Sequence, residues 1–139
     1  GTGTAVQGAR CAWTVTVLQP VCQDAVFATR DEVLSIYMAE NIETYLLNIV
    51  LATRKAEAYG DDLANWLQYG ASPRATITLD RCARAHAWLA QRDYVGPEDV
   101  QAVVHDVLRH RLILNYEAEA EGMTTDKVIT ELVTRVAVP

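Results

Sequence analysis

Apolar residues recur at three- and four-residue intervals through most of this chain, the spacing of one face of an α-helix. Ile42, Tyr45, Leu46, Ile49 and Val50 fall at i, i+3, i+4, i+7 and i+8, which predicts a strongly amphipathic helix over 41–53. Val26, Arg30, Val33, Leu34 and Tyr37 predict an earlier helix over 23–37. Residues 55–69 are more polar and break at Gly60-Asp61-Asp62, with room for one helical turn over 63–67. The longest pattern predicts a helix over 73–91. Gly96-Pro97-Glu98-Asp99 starts another, with proline in the first turn and acids at the positive end of the dipole. Val100, Val103, Val104, Val107 and Leu108 form its apolar face. Val128, Ile129, Leu132, Val133 and Val136 define a last helix, capped by Thr124 or Thr125. Residues 112–121 fit an extended segment as well as a helix, because Glu117, Glu119 and Glu121 alternate.

Residues 1–16 differ from the rest. They are rich in Gly and Thr and then alternate, placing Trp13, Val15 and Val17 on one side of a short N-terminal strand. The expected fold class is therefore all-α, a small helical bundle over 17–139 preceded by a segment, 1–16, of separate character.

The long helix carries two faces. At 100° per residue, Ala75, Leu79, Cys82, Ala83, His86, Leu89 and Ala90 cluster within about 120°, the expected core face. Arg74, Ile77, Arg81, Arg84 and Trp88 form a second stripe. Asp80 and Arg84 are spaced for an i,i+4 ion pair, which accounts for part of that stripe, and Arg and Trp are residue types that docking surfaces favour. At the start of the helix, Ser72 is suited to cap and Pro73 to the first position, so Arg74 projects beside the positive end of the helix dipole. A cation there calls for an anion nearby.

Composition narrows the function. Of 139 residues, 50% are hydrophobic and 22% charged, and the net charge is −6, which argues against general nucleic-acid binding. No apolar run approaches the roughly 20 residues needed to cross a bilayer, so no membrane partner is expected. Cys11, Cys22 and Cys82 are odd in number and lack C-x-x-C spacing, which predicts free thiols and a cytoplasmic location. Cys82 and His86 share a helix face, but within the apolar stripe, where a thiol and a hydrogen-bonded His belong to the core, so no metal site is expected. Glu117, Glu119 and Glu121 read as a hydrated or partner-facing edge rather than as catalytic acids. The only lysines, Lys55 and Lys127, lie outside any Gly-x-x-x-x-Gly-Lys-Ser/Thr motif, so the chain has no P-loop, and no apolar strand ends in an Asp-Glu pair.

Gly70-Ala71-Ser72-Pro73-Arg74, with Asp80-Arg81-Cys82-Ala83-Arg84-Ala85, Arg92-Asp93-Tyr94-Val95, Pro97-Glu98-Asp99-Val100, Val107-Leu108-Arg109-His110-Arg111 and Tyr116-Glu117-Ala118-Glu119-Ala120-Glu121-Gly122, closely resembles the C-terminal lid domain of MoxR-family AAA+ ATPases. The resemblance is continuous from about residue 17 onward. It implies that Arg74 is the sensor-2 residue, which reads the γ-phosphate of ATP held by an upstream AAA+ module. It also implies a parent that hydrolyses ATP with Mg2+, assembles as a ring with neighbouring subunits, often works with a von Willebrand A-domain protein, and matures partner proteins in a chaperone-like way. Walker A, Walker B, sensor 1 and the arginine finger are missing from this sequence, so the chain alone is expected to lack ATPase activity. The competing class is a stand-alone helical protein-interaction module.

Overall fold

The apolar period does most of the work of building this molecule. The computed structural model describes residues 5–7, 14–16 and 20–139. Two short strands, β1 (Ala5–Gln7) and β2 (Thr14–Thr16), pair antiparallel with Ala5 opposite Thr16. The short strand expected near the N-terminus is thus present at Thr14–Thr16, while the Trp13 and Val17 positions of its predicted face lie outside the described residues. Then come α1 (Gln23–Ser35), α2 (Glu40–Arg54), a 3₁₀ turn (Ala56–Ala58), α3 (Asp61–Trp66), β3 (Leu67–Tyr69), α4 (Arg74–Leu89), α5 (Pro97–Leu108), β4 (Ile113–Leu114), α6 (Tyr116–Ala120) and α7 (Thr125–Arg135). The chain divides into two compact units, residues 1–32 and 33–139.

The second unit is a helical bundle around one apolar core. From α2, Ile42, Tyr45, Leu46, Ile49 and Val50 are all buried, as their spacing predicts. From α5 come Val100, Val104, Val107 and Leu108, and from α7 Val128, Ile129 and Leu132. Leu63 of α3 and Leu79 of α4 are fully enclosed, and a buried leucine of this kind contributes about 1.5–3 kcal/mol. α4 and α5 form the most extensive helix pair.

Helix ends follow the local chemistry. The carboxylate of Asp99 accepts from the Gly96 N–H at 2.8 Å, closing the first turn of α5 as Gly96-Pro97-Glu98-Asp99 predicts. Thr124 caps α7, its hydroxyl accepting from the Lys127 N–H at 3.3 Å. Arg135, in the last turn of α7, forks onto Asp62 with two 2.7 Å bonds and so ties α7 to the start of α3. That hydrogen bond holds the Asp62 carboxyl down at about 2.

The structure departs from the periodicity in four places. α1 stops at Ser35, because Tyr37 instead bridges Tyr94, its N–H donating to the Asp93 carbonyl at 3.0 Å and its carbonyl accepting from Val95 at 2.9 Å. In α4 the buried row is Ala75, Leu79, Ala83 and Ala87. Cys82 and His86 flank that row, and Leu89 and Ala90 face outward, Leu89 at 74% exposure. The helix ends there, with Ala90 leaving helical geometry and Gln91 at φ 61°, so among the described residues the predicted face has no neighbour to cover Leu89. Residues 67–69, expected in a polar connection, form β3 and pair with β4. Finally, Tyr116–Ala120 is helical, which resolves the ambiguous 112–121 segment into a two-residue strand followed by a short helix.

Candidate functional site

The loop before α4 is fixed by close packing against the C-terminal turn of α2. A β-carbon on Gly70 would fall within 2.5 Å of the carbonyl carbon of Thr53 and 2.9 Å of the Arg54 nitrogen. Only glycine allows the two backbones to approach so closely. The next residue is pinned polar-wise: the Ala71 N–H donates to the Thr53 hydroxyl at 3.0 Å, and that hydroxyl donates in turn to the Val50 carbonyl at 2.6 Å. Thr53 is buried, so both bonds are shielded from water. Ala71 and Ala75 are small and fully buried, anchoring the loop on one side and the first turn of α4 on the other.

Between these anchors Ser72, Pro73 and Arg74 are exposed. Pro73 already has helical geometry (φ −56°, ψ −24°). The first turn is closed by backbone bonds, Ala75 N–H to the Ser72 carbonyl and Thr76 N–H to the Pro73 carbonyl, rather than by the expected Ser72 hydroxyl cap. Arg74 therefore stands at the N-terminal end of a sixteen-residue helix, and no side chain among the described residues forms an ion pair with it. An unpaired guanidinium at the positive end of a helix dipole favours an anion that the described residues do not supply.

The rest of the second stripe divides. Ile77 and Arg81 are exposed, whereas Arg84 is mostly covered. Its Nε–H donates to Asp80 at 2.5 Å, the i,i+4 pair read from the sequence, and its Nη1 also donates to the Ile36 carbonyl, joining α4 to the segment after α1. Trp88 is half-buried against the core. The stripe is thus a mixture of a free rim and structural contacts.

A second polar cluster sets the angle at which α5 leaves α4. Asp99 is fully buried and receives four hydrogen bonds: two from the Arg92 guanidinium at 2.5 and 2.8 Å, the Gly96 N–H, and the His86 Nδ1–H at 2.7 Å. Because a carboxylate only accepts, the bonded His86 nitrogen carries the proton. Burial alone would raise the Asp99 carboxyl; the Arg92 fork, the Gly96 amide and His86 outweigh it and hold the group below its ordinary range. The bond to Asp99 likewise raises Arg92. Periodicity placed His86 in the core; the structure leaves it part-exposed and gives it a structural partner. Among the described residues no group of three His, Cys, Asp or Glu side chains could hold a metal. Glu117 and Glu119 project from α6 and Glu121 follows it, all three exposed and none in an ion pair among the described residues.

Comparison with known proteins matches this architecture. The profile of the AAA lid domain fits residues 64–132, from α3 into α7. The chaperone MoxR1 of Mycobacterium tuberculosis is 45% identical over 96 residues, which cover 68% of this chain and 26% of that protein. This chain belongs to the MoxR-family AAA+ lid domains. The MoxR-type lid is also 35% identical over 127 residues to the uncharacterized protein YeaC of Bacillus subtilis, covering 90% of this chain and 37% of YeaC. A crystal structure of a candidate ATPase from Cytophaga hutchinsonii superposes with a TM-score of 0.81 at 43% identity, covering 84% of this chain and 36% of that one. The matched region thus spans about a quarter of the length of MoxR1 and somewhat over a third of the other two. No helix among the described residues is long and apolar enough to cross a membrane.

Proposed function

We propose that this domain closes over ATP bound by an upstream P-loop module, with Arg74 as the sensor-2 contact to the γ-phosphate. The observation that carries the reading is the placement of Arg74: an exposed cation without an ion-pair partner among the described residues, on a loop fixed by Gly70 and Thr53, at the root of a helix buried through Ala75, Leu79, Ala83 and Ala87. A guanidinium forms forked, charge-assisted bonds to phosphate oxygens. The residues present fit one peripheral contact to a nucleotide and no cradle of their own, so in this reading the other module holds the phosphates and the accompanying Mg2+. The nucleotide, when bound, supplies the bond whose hydrolysis drives the cycle. The lid's part is to bind and release: losing the γ-phosphate contact changes the relative stability of its two orientations, and α4 transmits that change to the bundle.

By extension, the longer protein is a ring-forming ATPase in the cytoplasm, in which this lid couples hydrolysis to chaperone-like maturation of partner proteins. A von Willebrand A-domain protein is the expected collaborator. The chaperone MoxR1 supports this extension by likeness.

The test is ATP turnover by the lid joined to its P-loop module, comparing wild type with Arg74→Ala and Arg74→Lys. Arg74 is exposed and off the buried row, so truncation should change lid stability by at most about 0.5 kcal/mol. The lost charge-assisted bond, worth about 1.5–3 kcal/mol, corresponds to roughly a ten- to hundredfold fall in turnover. Lysine should restore only part, because a point charge lacks the fork. Wild-type turnover in Arg74→Ala would leave the domain a helical interaction module.

A further inference from the structure

β3 and β4 form a sheet of only two strands, and their pairing sorts side chains by face. Leu67 and Leu114 are partners and both point into the core. Tyr69 and Ile113 are partners and both point outward, exposed at 61% and 53%. Next in the chain, Asn115 turns back onto α3, its N–H donating to the Trp66 carbonyl at 2.8 Å and its side-chain amide to the Asn65 carbonyl. That turn thrusts Tyr116 out at 83% exposure, the most exposed large hydrophobic side chain among the described residues. Two clefts share Asn115 and Glu117, and Tyr116 lines the first of them. One, of about 450 Å³, runs to Gln68; the other, of about 430 Å³, runs between Trp66 and Glu121.

The charged residues that line these two clefts are all acidic. Asp62, at the far wall of the second cleft, is already neutralised by Arg135. Glu117, Glu119 and Glu121 have no such partner among the described residues, and the nearby Lys127 ammonium is turned onto the Gly122 carbonyl. An exposed aromatic ring beside an unpaired carboxylate, as Tyr116 stands beside Glu117, is complementary to arginine in two ways at once. The guanidinium stacks on the tyrosine face while its fork meets a carboxylate. The same charges repel nucleic acid and anionic lipid.

We infer that the Tyr69–Ile113–Tyr116 face, with Glu117 and Glu121, is a docking surface for an arginine-bearing segment of a partner protein. It is separate from the Arg74 contact and does not rest on it. β3 nevertheless runs through Gly70 directly into the loop that carries Arg74, so an occupant here would sit against the backbone that positions that loop.

The probe is a fluorescein-labelled hexa-arginine peptide titrated into the full 139-residue chain, with hexalysine and hexaglutamate as comparisons. Amide shifts in a proton–nitrogen correlation spectrum report the site. Expected are saturable binding of hexa-arginine, weaker binding of hexalysine, none of hexaglutamate, and shifts centred on residues 66–69 and 113–121. Tyr116→Ala should weaken hexa-arginine binding about five- to tenfold, since it removes the stacking surface without changing charge. Glu117→Gln with Glu121→Gln should weaken it similarly and flatten its salt dependence. Glu43→Gln, an exposed acid on α2, should leave it unchanged. Absence of saturable binding, full binding in Tyr116→Ala, or shifts scattered over every acidic surface would overturn the assignment. So would a dimer in sedimentation that Tyr116→Ala dissolves, which would give the face to a second copy of this chain.

Discussion

Replacing Gly70 by alanine tests the packing that fixes the Arg74 loop, because it adds one carbon where the structure has no room for it. The new carbon would lie inside the contact distance of the Thr53 carbonyl oxygen, and within 2.5 Å of its carbon, against about 3.5–4.0 Å for an ordinary contact. These neighbours are backbone atoms in the last turn of α2, so relief must come from moving the loop. A shift of about 1 Å would stretch the Ala71 bond to the buried Thr53 hydroxyl from 3.0 Å to beyond hydrogen-bonding range. Losing that buried bond costs about 1–3 kcal/mol, and overpacking typically about 1–3 kcal/mol. The sum, roughly 2–5 kcal/mol, is a large part of the about 5–15 kcal/mol that holds a domain together. The expected result in thermal and urea denaturation of the chain is a fall in Tm of more than about 8 °C. The sign is diagnostic. Where a glycine's backbone is compatible, alanine stabilises by about 0.4–1 kcal/mol through the unfolded chain. Gly122→Ala is the control: open space surrounds it, but φ is 85°, so it should cost only about 1 kcal/mol of backbone strain. Unchanged or raised stability in Gly70→Ala would refute the close approach as the reason for glycine.

Thr53→Val keeps the shape but strands the Ala71 N–H, and should destabilise the chain by about 1–3 kcal/mol in urea titrations. Leu79→Ala opens a cavity in a fully enclosed site and should cost about 2–5 kcal/mol, read the same way. Asp99→Asn removes the charge that four donors converge on and should cost about 2–4 kcal/mol at neutral pH. Because Asp99 is held below its unfolded value of about 3.9, its contribution is complete above about pH 5 and is lost as pH falls through the folded value. The stability gap between wild type and Asp99→Asn should therefore narrow on acidification, and a gap that stays constant from pH 7 to about pH 2.5 would count against the ionised pairing. The isolated chain should give no saturable heat with Mg-ATP below about millimolar concentration, since phosphate cradles depend mostly on the P-loop.

Much of this protein is written locally. The faces of α2, α5 and α7 follow from spacing alone, because each is long enough for the 3.6-residue period to dominate and each meets the core along its whole length. Gly96-Pro97-Glu98-Asp99 and Thr124 mark helix starts because their chemistry acts within one turn. The position of Arg74 at the root of a long helix, and the likeness to MoxR-family lids, are equally legible in the residues themselves. Tertiary structure decided the rest. β3 and β4 are too short to show a period of two, and they exist because Leu67 and Leu114, far apart in sequence, bury each other's backbone edge. The buried row of α4 runs to Ala87 rather than Leu89 because no other element among the described residues covers Leu89. His86, Arg92 and Asp99 form one cluster only because α4 folds back onto α5, and no spacing rule joins three residues on two helices and a loop. Gly70 looks like an ordinary turn residue until the end of α2 is placed against it; a steric demand between distant backbones leaves no periodic trace, so only the folded chain reveals why that position carries no side chain.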